Sequence, residues 1–459
     1  MRIGLFAWLI LLAALTAPTR GAESYDLVIR HGRVVDGSGN PAFFADVAVR
    51  QGRIAALGRI ERAGRIEINA AGLIVAPGFI DVHTHADEVA TRPLAENFVR
   101  MGVTTVVAGN CGSSTLDVAR FFRGIERTNA AVNVATLIGH NSVRRKAMGG
   151  SFARPPTPAE LAQMKALVGQ AMKDGAAGLS TGLIYQPGVH AQTDEIVALA
   201  KVIAPYGGIY ASHIRKEADG LLGALEEIVE IGARCRMPVQ VSHIKTYGRR
   251  NWYKIDAALA LLEHALERGV DIAADRYPYS ACFTGISSLL PAWMRNEAHA
   301  RGGWDSLIDP AWAPRVREAV ADSFHLIGGP HNVLLAPMDP HPELDGKRLD
   351  EYAAETESDP ADAAIDLIRQ GGVSCIYFTM SEDNIETFYR HPQVMGGSDG
   401  HLRVLGEGVS HPRNYGTFPR IIGHYGRDRG LFGVEQAVRK CTSMAASRFG
   451  LKRRGVLAK

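Results

Sequence analysis

Cysteine is scarce in this chain, with five residues in 459, at positions 111, 235, 282, 375 and 441. So thin a supply excludes a dense disulfide framework, and the odd count leaves at least one thiol unpaired within the chain. A basic tract is also missing. The 51 Lys and Arg nearly balance the 48 Asp and Glu, the two signs are interspersed, and the net charge is +3, which argues against a nucleic-acid partner. Beyond the first twenty residues there is no long apolar run. Ile3 to Ala17 is almost wholly apolar behind Arg2, and small residues around Thr19-Arg20-Gly21-Ala22 offer a poor cleavage site. The run is short for a membrane span and has no second one to partner it. Residues 1–22 are therefore expected to be a signal peptide, with export to the bacterial periplasm and no stable membrane insertion after cleavage, or anchoring if the segment is not cleaved.

What is present describes a large globular enzyme-sized chain. Its length exceeds most single domains but suits one α/β barrel with an appendage, and 46% hydrophobic with 22% charged residues supplies a substantial core. Short strand-like runs fill the first part: Leu27-Val28-Ile29, Arg33-Val34-Val35, Asp46 to Val49, Arg53 to Leu57 and Ile66-Glu67-Ile68. Turn signals at His31-Gly32, Asp36 to Asn40 and Gln51-Gly52 separate them. Residues 23–76 thus predict a small antiparallel, β-sandwich-like domain.

After Asp87 the rhythm changes to helices alternating with short apolar strands. Ala90 to Met101 reads as a helix, and so does Thr157 to Lys173, where Thr157 caps, Pro158 takes the first position and Glu160 follows. Strands are predicted at Phe79 to Val82, Val103 to Val107, Val132 to Ile138, Ala177 to Ser180, Gly208 to Ser212, Val239 to Ser242, Asp271 to Ala274 and Val394 to Gly397. Eight β/α units are the count of a (β/α)8 TIM-type barrel, here residues 77–440. The alternative, a doubly wound sheet, lacks its Gly-rich nucleotide fingerprint after the first strand. Strands seven and eight lie too far apart for one helix, so residues 287–345 are read as a lid insertion.

Polar residues collect at the ends of these strands. In Asp81-Val82-His83-Thr84-His85, two histidines two apart on a strand face one way, half of a divalent metal site. Alone that pair means little. But Asn110-Cys111 closes strand two, His140 strand three, His213 strand five, His243 strand six and Asp399 strand eight, while Tyr185 follows strand four and Asp275, Tyr277 and Tyr279 follow strand seven. In a barrel all of these face one mouth. Cys111, His213 and His243 form a three-ligand set with an open position, as in a catalytic zinc site, with Cys111 bound as thiolate. Asp399 stands as the acid/base candidate, and His83 with His85 either holds a second metal or completes the first site.

Ala76-Pro77-Gly78-Phe79-Ile80-Asp81-Val82-His83-Thr84-His85 resembles the opening strand of the amidohydrolase superfamily. Gly109-Asn110-Cys111-Gly112, Ser212-His213-Ile214-Arg215, Ser242-His243-Ile244-Lys245 and Ser398-Asp399-Gly400 resemble the N-acyl-D-amino-acid deacylases (D-aminoacylases) within it. Many superfamily members bridge two metals with a lysine on strand four. Here Ala177 to Gly182 holds neither Lys nor Glu, and in this family the cysteine on strand two fills that role. The resemblance implies a tight Zn2+ held by Cys111, His213 and His243, a second, weaker position near His83, His85 and Asp399, and Asp399 as catalytic acid/base. It implies a small-molecule N-acyl-D-amino acid substrate, its carboxylate held by Tyr185, Lys245 and Arg413, with Tyr277 or Tyr279 lining the site. It also implies further strands after the barrel that complete the small domain. Residues 441–459 are then a C-terminal segment truncated relative to the family. The expected reaction is hydrolysis of the amide to a carboxylate and a free D-amino acid. The alternatives are a related hydrolase of a cyclic amide or D-residue dipeptide, and a non-catalytic ligand-binding relative. Oligomeric state stays open.

Overall fold

The structure, a computed structural model, describes residues 24–301, 303–337 and 343–459; the apolar run of residues 1–22 lies outside them. These residues divide into two compact units: 24–36, 41–76 and 457–459 form one, and 37–40 with 77–456 the other. Among the described residues no helix is long and apolar enough to cross a membrane.

The smaller unit is one five-stranded sheet: Tyr25–Val34, Phe43–Arg50, Arg53–Gly58, Gly64–Asn69 and Ile74–Val75. Its first three strands pair antiparallel, with Gln51 (φ 50°) and Gly52 (φ 69°) supplying the left-handed turn that a tight hairpin needs. The fourth and fifth run parallel to the first, which corrects the wholly antiparallel expectation. The expected break at His31-Gly32 is instead an irregularity inside a single strand. Register shifts between Ile29 and Gly32, and His31 takes a φ of 59°. A bulge absorbs the extra residue and the strand continues.

The larger unit is built on eight parallel strands: Phe79–Asp81, Val103–Ala108, Asn133–Gly139, Gly178–Gly182, Ile209–His213, Val239–Val241, Ile272–Arg276 and Val394–Gly396, each paired to the next in chain order. They lie where the apolar runs predict them. Strands four, five and seven are buried at every position, their polar residues included, because helices cover the outer face and the barrel interior the other. The eighth and first strands meet at the C-terminal rim. There Gly400–His401 pairs in parallel with Thr84–His85, Asp399 N donates to His83 O (2.8 Å) and Ser398 N to Asp81 Oδ1 (2.9 Å). The barrel is thus closed by the same short segments that carry His83, His85 and Asp399. Inside it, Ile80, Val107, Leu137, Ile209, Ala211 and Met395 pack together, with Ala445, Ala446 and Phe449 against them.

The helix Pro158–Lys173 is capped as expected: Thr157 Oγ1 accepts from Glu160 N and the Glu160 carboxylate from Thr157 N. The helix expected over 90–101 shrinks to Glu96–Arg100. Pro93 disfavours helical backbone at Arg92, and Ala95 is left-handed (φ 42°), so the preceding residues form turns. Between strands seven and eight the chain builds its own antiparallel sheet from Ala281–Gly285, Ser374–Phe378 and Val333–Leu335. A separate apolar cluster including Leu307, Trp312, Val316, Leu349, Ile368 and Tyr377 packs there. Residues 287–345 lie within this insertion.

Candidate active site

His83 and His85 follow the first barrel strand, Cys111 the second, His243 the sixth and Asp399 the eighth, while His213 ends the fifth. Three of these residues have left-handed backbone: Cys111 (φ 53°), His243 (φ 37°) and Asp399 (φ 54°). Such a conformation costs a non-glycine residue about 1–2 kcal/mol. Each bend turns a side chain off its strand end and into the mouth. The Cys111 turn is further shaped by Gly112 (φ 80°), where a Cβ would lie 2.3 Å from Asn141 Oδ1 and 2.6 Å from Gly182 N. Strand four, which lacks Lys and Glu, contributes Ser180. Its hydroxyl donates to Gly109 O (2.5 Å) and accepts from Gly112 N (3.0 Å), clasping the cysteine turn on both sides.

The donor atoms fall into two groups that share Cys111. One is His83, His85, Cys111 and Asp399; the other is Cys111, His213 and His243; within each the ligand atoms lie within 4.8 Å of one another. Cys111 Sγ is 3.3 Å from His83 Nε2 and 3.7 Å from His243 Nε2. Asp399 Oδ1 is 3.0 Å from His85 Nε2 and 3.5 Å from His83 Nε2. The His213 and His243 rings meet edge to face at 4.3 Å between centroids.

Charge and burial compete here. Burial opposes ionisation of the Cys111 thiol, but the His83 charge and the neighbouring His213 and His243 imidazoles hold it well below its usual range. Burial likewise opposes Asp399 ionisation, and Arg413, His243 and His83 overcome it, so its carboxyl sits well below the usual carboxylate range. Burial lowers His213, against the nearby Glu217 charge. Both ring nitrogens of His213 are buried and without a hydrogen-bond partner.

Two carboxylates that sequence reasoning gave no role organise this donor set. Asp275 Oδ1 is 3.0 Å from His83 Nδ1 and accepts from His243 N (2.8 Å), while its Oδ2 accepts from Gln240 Nε2 (2.9 Å). Glu217 Oε1 is 3.0 Å from His243 Nδ1 and in contact with Lys245 Nζ. Asp275 is visible in the sequence as a strand-end polar residue. Glu217 lies in the irregular segment after strand five, and its only signal is a place four residues beyond His213.

Of the remaining expected residues, Arg413 and Lys245 meet at Tyr277. Arg413 Nη1 donates to Asp399 Oδ2 (2.6 Å), and its guanidinium lies 5.1 Å from the Tyr277 ring centroid and 5.8 Å from that of Phe283, which belongs to the insertion. Lys245 Nζ is 5.8 Å from the Tyr277 ring. Arg413 Nε and Tyr277 Oη are both buried without a partner. Tyr185 packs edge-on against His213, at 4.8 Å between ring centroids. Tyr279 faces away, toward His411 and Arg420. His140 does not join the cluster, contrary to expectation. A helix begins at His140 itself, turning the ring toward Glu195, whose Oε1 is 2.8 Å from Nε2 and also accepts from Arg144. Asn110 is spent on backbone, its amide donating to Val107 O (2.9 Å).

A sequence profile of the amidohydrolase family matches residues 67–459. D-aminoacylase of Alcaligenes xylosoxydans xylosoxydans is 36% identical over 95% of this chain and 86% of its own. The chain belongs to the D-aminoacylase family of amidohydrolases. Solved members superpose throughout. N-acyl-D-glutamate deacylase from Bordetella bronchiseptica, complexed with zinc and a phosphonate inhibitor that mimics the tetrahedral intermediate, is 36% identical with a TM-score of 0.82, covering 95% of this chain and 88% of that one. A D-aminoacylase studied for its binuclear metal centre, with one-metal activation and second-metal attenuation, is 34% identical with a TM-score of 0.80, covering 94% and 87%. The fold of these relatives therefore spans nearly the whole chain.

Proposed function

We propose that this protein is a zinc-dependent hydrolase that cleaves the amide bond of N-acyl-D-amino acids to a carboxylate and a free D-amino acid. The observation that carries this reading is the pair of donor groups sharing the Cys111 thiolate, flanked by Asp399 and by two cations placed over Tyr277.

The donor set fits zinc. Thiolate and imidazole are its preferred ligands, and His213 holds two buried ring nitrogens with nothing to bond, a costly arrangement that a bound metal resolves. Cys111, His213 and His243 would hold the tight ion, and His83, His85 and Asp399, again with Cys111, the weaker one. When bound, zinc supplies an acidified water near neutral pH and a Lewis acid for the scissile carbonyl. Asp399 is ionised and borders both groups, so it is placed to accept a proton from that water and return it to the leaving amine. Arg413 and Lys245 provide the fixed charge that a carboxylate on the amino-acid half requires. The unpartnered Arg413 Nε and Tyr277 Oη supply two further donors for its oxygens. Tyr185, against His213, forms the opposite wall. The insertion, through Phe283, closes one side and acts as a lid.

The decisive test is a panel of N-acetyl D- and L-amino acids, with a hydantoin and a dihydropyrimidine, assayed on zinc-loaded and chelator-treated protein. Turnover of D substrates by the loaded form alone is expected. Equal turnover by the metal-free form, or preference for the cyclic amides, overturns the reading. The run Ile3 to Ala17 behind Arg2 supports export to the periplasm, checked by N-terminal sequencing of the periplasmic fraction.

A further inference from the structure

Glu217 makes three approaches with one carboxylate, and two of them compete. His243 Nδ1 lies 3.0 Å from Glu217 Oε1 and 2.8 Å from Lys245 Nζ. Those two neighbours demand opposite tautomers of the imidazole. Facing Glu217, Nδ1 carries the proton and donates it, which leaves Nε2 with a free lone pair. Facing the Lys245 ammonium, which can only donate, Nδ1 is the acceptor, and the ring proton moves to Nε2. Nε2 is the atom that points at Cys111 Sγ, 3.7 Å away. With Nε2 protonated, His243 cannot be a ligand.

We propose that Glu217 is the positioning residue that makes His243 a zinc ligand, by accepting the Nδ1 proton and by engaging the Lys245 ammonium that competes for the same ring nitrogen. This inference rests on the zinc reading above. Three features of the chain support it. Glu217 is held from two directions, since Tyr247 N donates to its carbonyl (2.9 Å) and buried Lys254 Nζ donates to the carbonyls of Ala218 (3.3 Å) and Asp219 (2.9 Å). The carboxylate is therefore placed by the segment after strand six, the segment that also carries Lys245. His83, on the other side of Cys111, has the same device without the conflict: Asp275 Oδ1 sits 3.0 Å from its Nδ1, and among the described residues no lysine is hydrogen-bonded to that ring. His213, the remaining histidine of the tight group, has no hydrogen-bonded carboxylate among the described residues and lies 3.8 Å from Glu217, so Glu217 is the acid that faces the rings of both histidines.

The test reads zinc affinity by chelator competition, in the absence of substrate, on the full chain. Glu217→Gln is expected to weaken zinc binding by about tenfold to a hundredfold, because an amide neither holds Lys245 by charge nor commits to accepting from Nδ1. Glu217→Gln combined with Lys245→Met is expected to regain most of that affinity, since the competing donor is gone. Lys245→Met alone should bind zinc at least as tightly as the parent, and it serves as the test if Glu217→Gln fails to fold. Unchanged zinc affinity in Glu217→Gln overturns the proposal. So does a double variant no tighter than Glu217→Gln, which would make Glu217 a source of charge only, and so does weakened binding in Lys245→Met. None of these outcomes depends on which amide is the substrate. The substrate panel can fail with the tautomer control intact, and the reverse also holds.

Discussion

Asp399 divides its two oxygens between two duties. Oδ1 borders His83 and His85, and Oδ2 accepts from Arg413. The same carboxylate therefore touches the metal side and the substrate side of the site. Asp399→Asn keeps the size and one acceptor oxygen for Arg413 but cannot take up a proton. Its kcat should fall by roughly 10²–10⁴-fold with one tightly bound zinc retained, measured by steady-state kinetics beside metal analysis; unchanged kcat removes Asp399 from proton transfer. Arg413 can be separated from it by the kinetic constant that moves. Arg413→Met removes charge-assisted hydrogen bonds to the substrate carboxylate, about 1.5–3 kcal/mol, so KM should rise by roughly tenfold or more for carboxylate substrates. An unmoved KM places the carboxylate elsewhere. At this scale the sequence is informative because metal and proton chemistry use few residue types, and Cys111, His213, His243 and Asp399 each stand directly after a recognisable strand. Glu217 escapes such reading, since it sits in a segment with no periodicity and its meaning comes from His243 and Lys245, more than 25 residues away.

Strand ends and the loops that follow them do the positioning. Gly112 is a tight point of the cysteine turn, with left-handed backbone and no room for a Cβ beside Asn141 and Gly182. Gly112→Ala should both destabilise the fold and displace Cys111, seen as lost zinc stoichiometry in whatever protein remains folded; full stoichiometry with parental affinity would show that the turn tolerates the methyl. At the other end of the eighth strand, buried Lys440 donates to His391 O and Val394 O, and burial lowers its pKa to about 8. A lysine whose folded pKa lies below its unfolded value near 10.4 binds fewer protons folded than unfolded between those values. Stability contributed at this site is therefore lowest below about pH 8 and rises as pH climbs toward 10.4. Relative to Lys440→Met, the parent should gain up to about 3 kcal/mol across that window, read from denaturant midpoints at pH 8 and pH 10. A constant difference between the two proteins shows that Lys440 has the same pKa folded as unfolded. The Thr157 capping box was readable because its whole signal lies within four consecutive residues. The helix expected over 90–101 was not, because Pro93 and the left-handed Ala95 override its apolar spacing.

For the whole molecule the metal links chemistry to stability. A ligand that binds only the folded chain stabilises it by RT ln(1 + [L]/Kd), about 4 kcal/mol at a thousandfold excess over Kd. Removing zinc should therefore lower the unfolding temperature measurably, and restoring it should reverse the shift in the parent but not in Cys111→Ser. A chelator-insensitive melting curve would show that the donor set holds no ion tightly. The barrel itself was legible in the sequence, since eight short, largely apolar runs alternate with helix-length segments. So was the placing of Cys111, His213, His243 and Asp399 at its mouth, because each lies at or just after the C-terminal end of a strand. Tertiary structure alone decided pairings between distant segments. It set the parallel fourth and fifth strands of the small sheet, and it brought Ala281–Gly285 beside Ser374–Phe378 in the insertion. It also turned His140 away to Glu195 and brought Glu217 between His243 and Lys245. Burial and backbone period are local properties and are written along the chain, whereas a carboxylate's partner is fixed only when remote backbone brings a charge within about 3 Å of it.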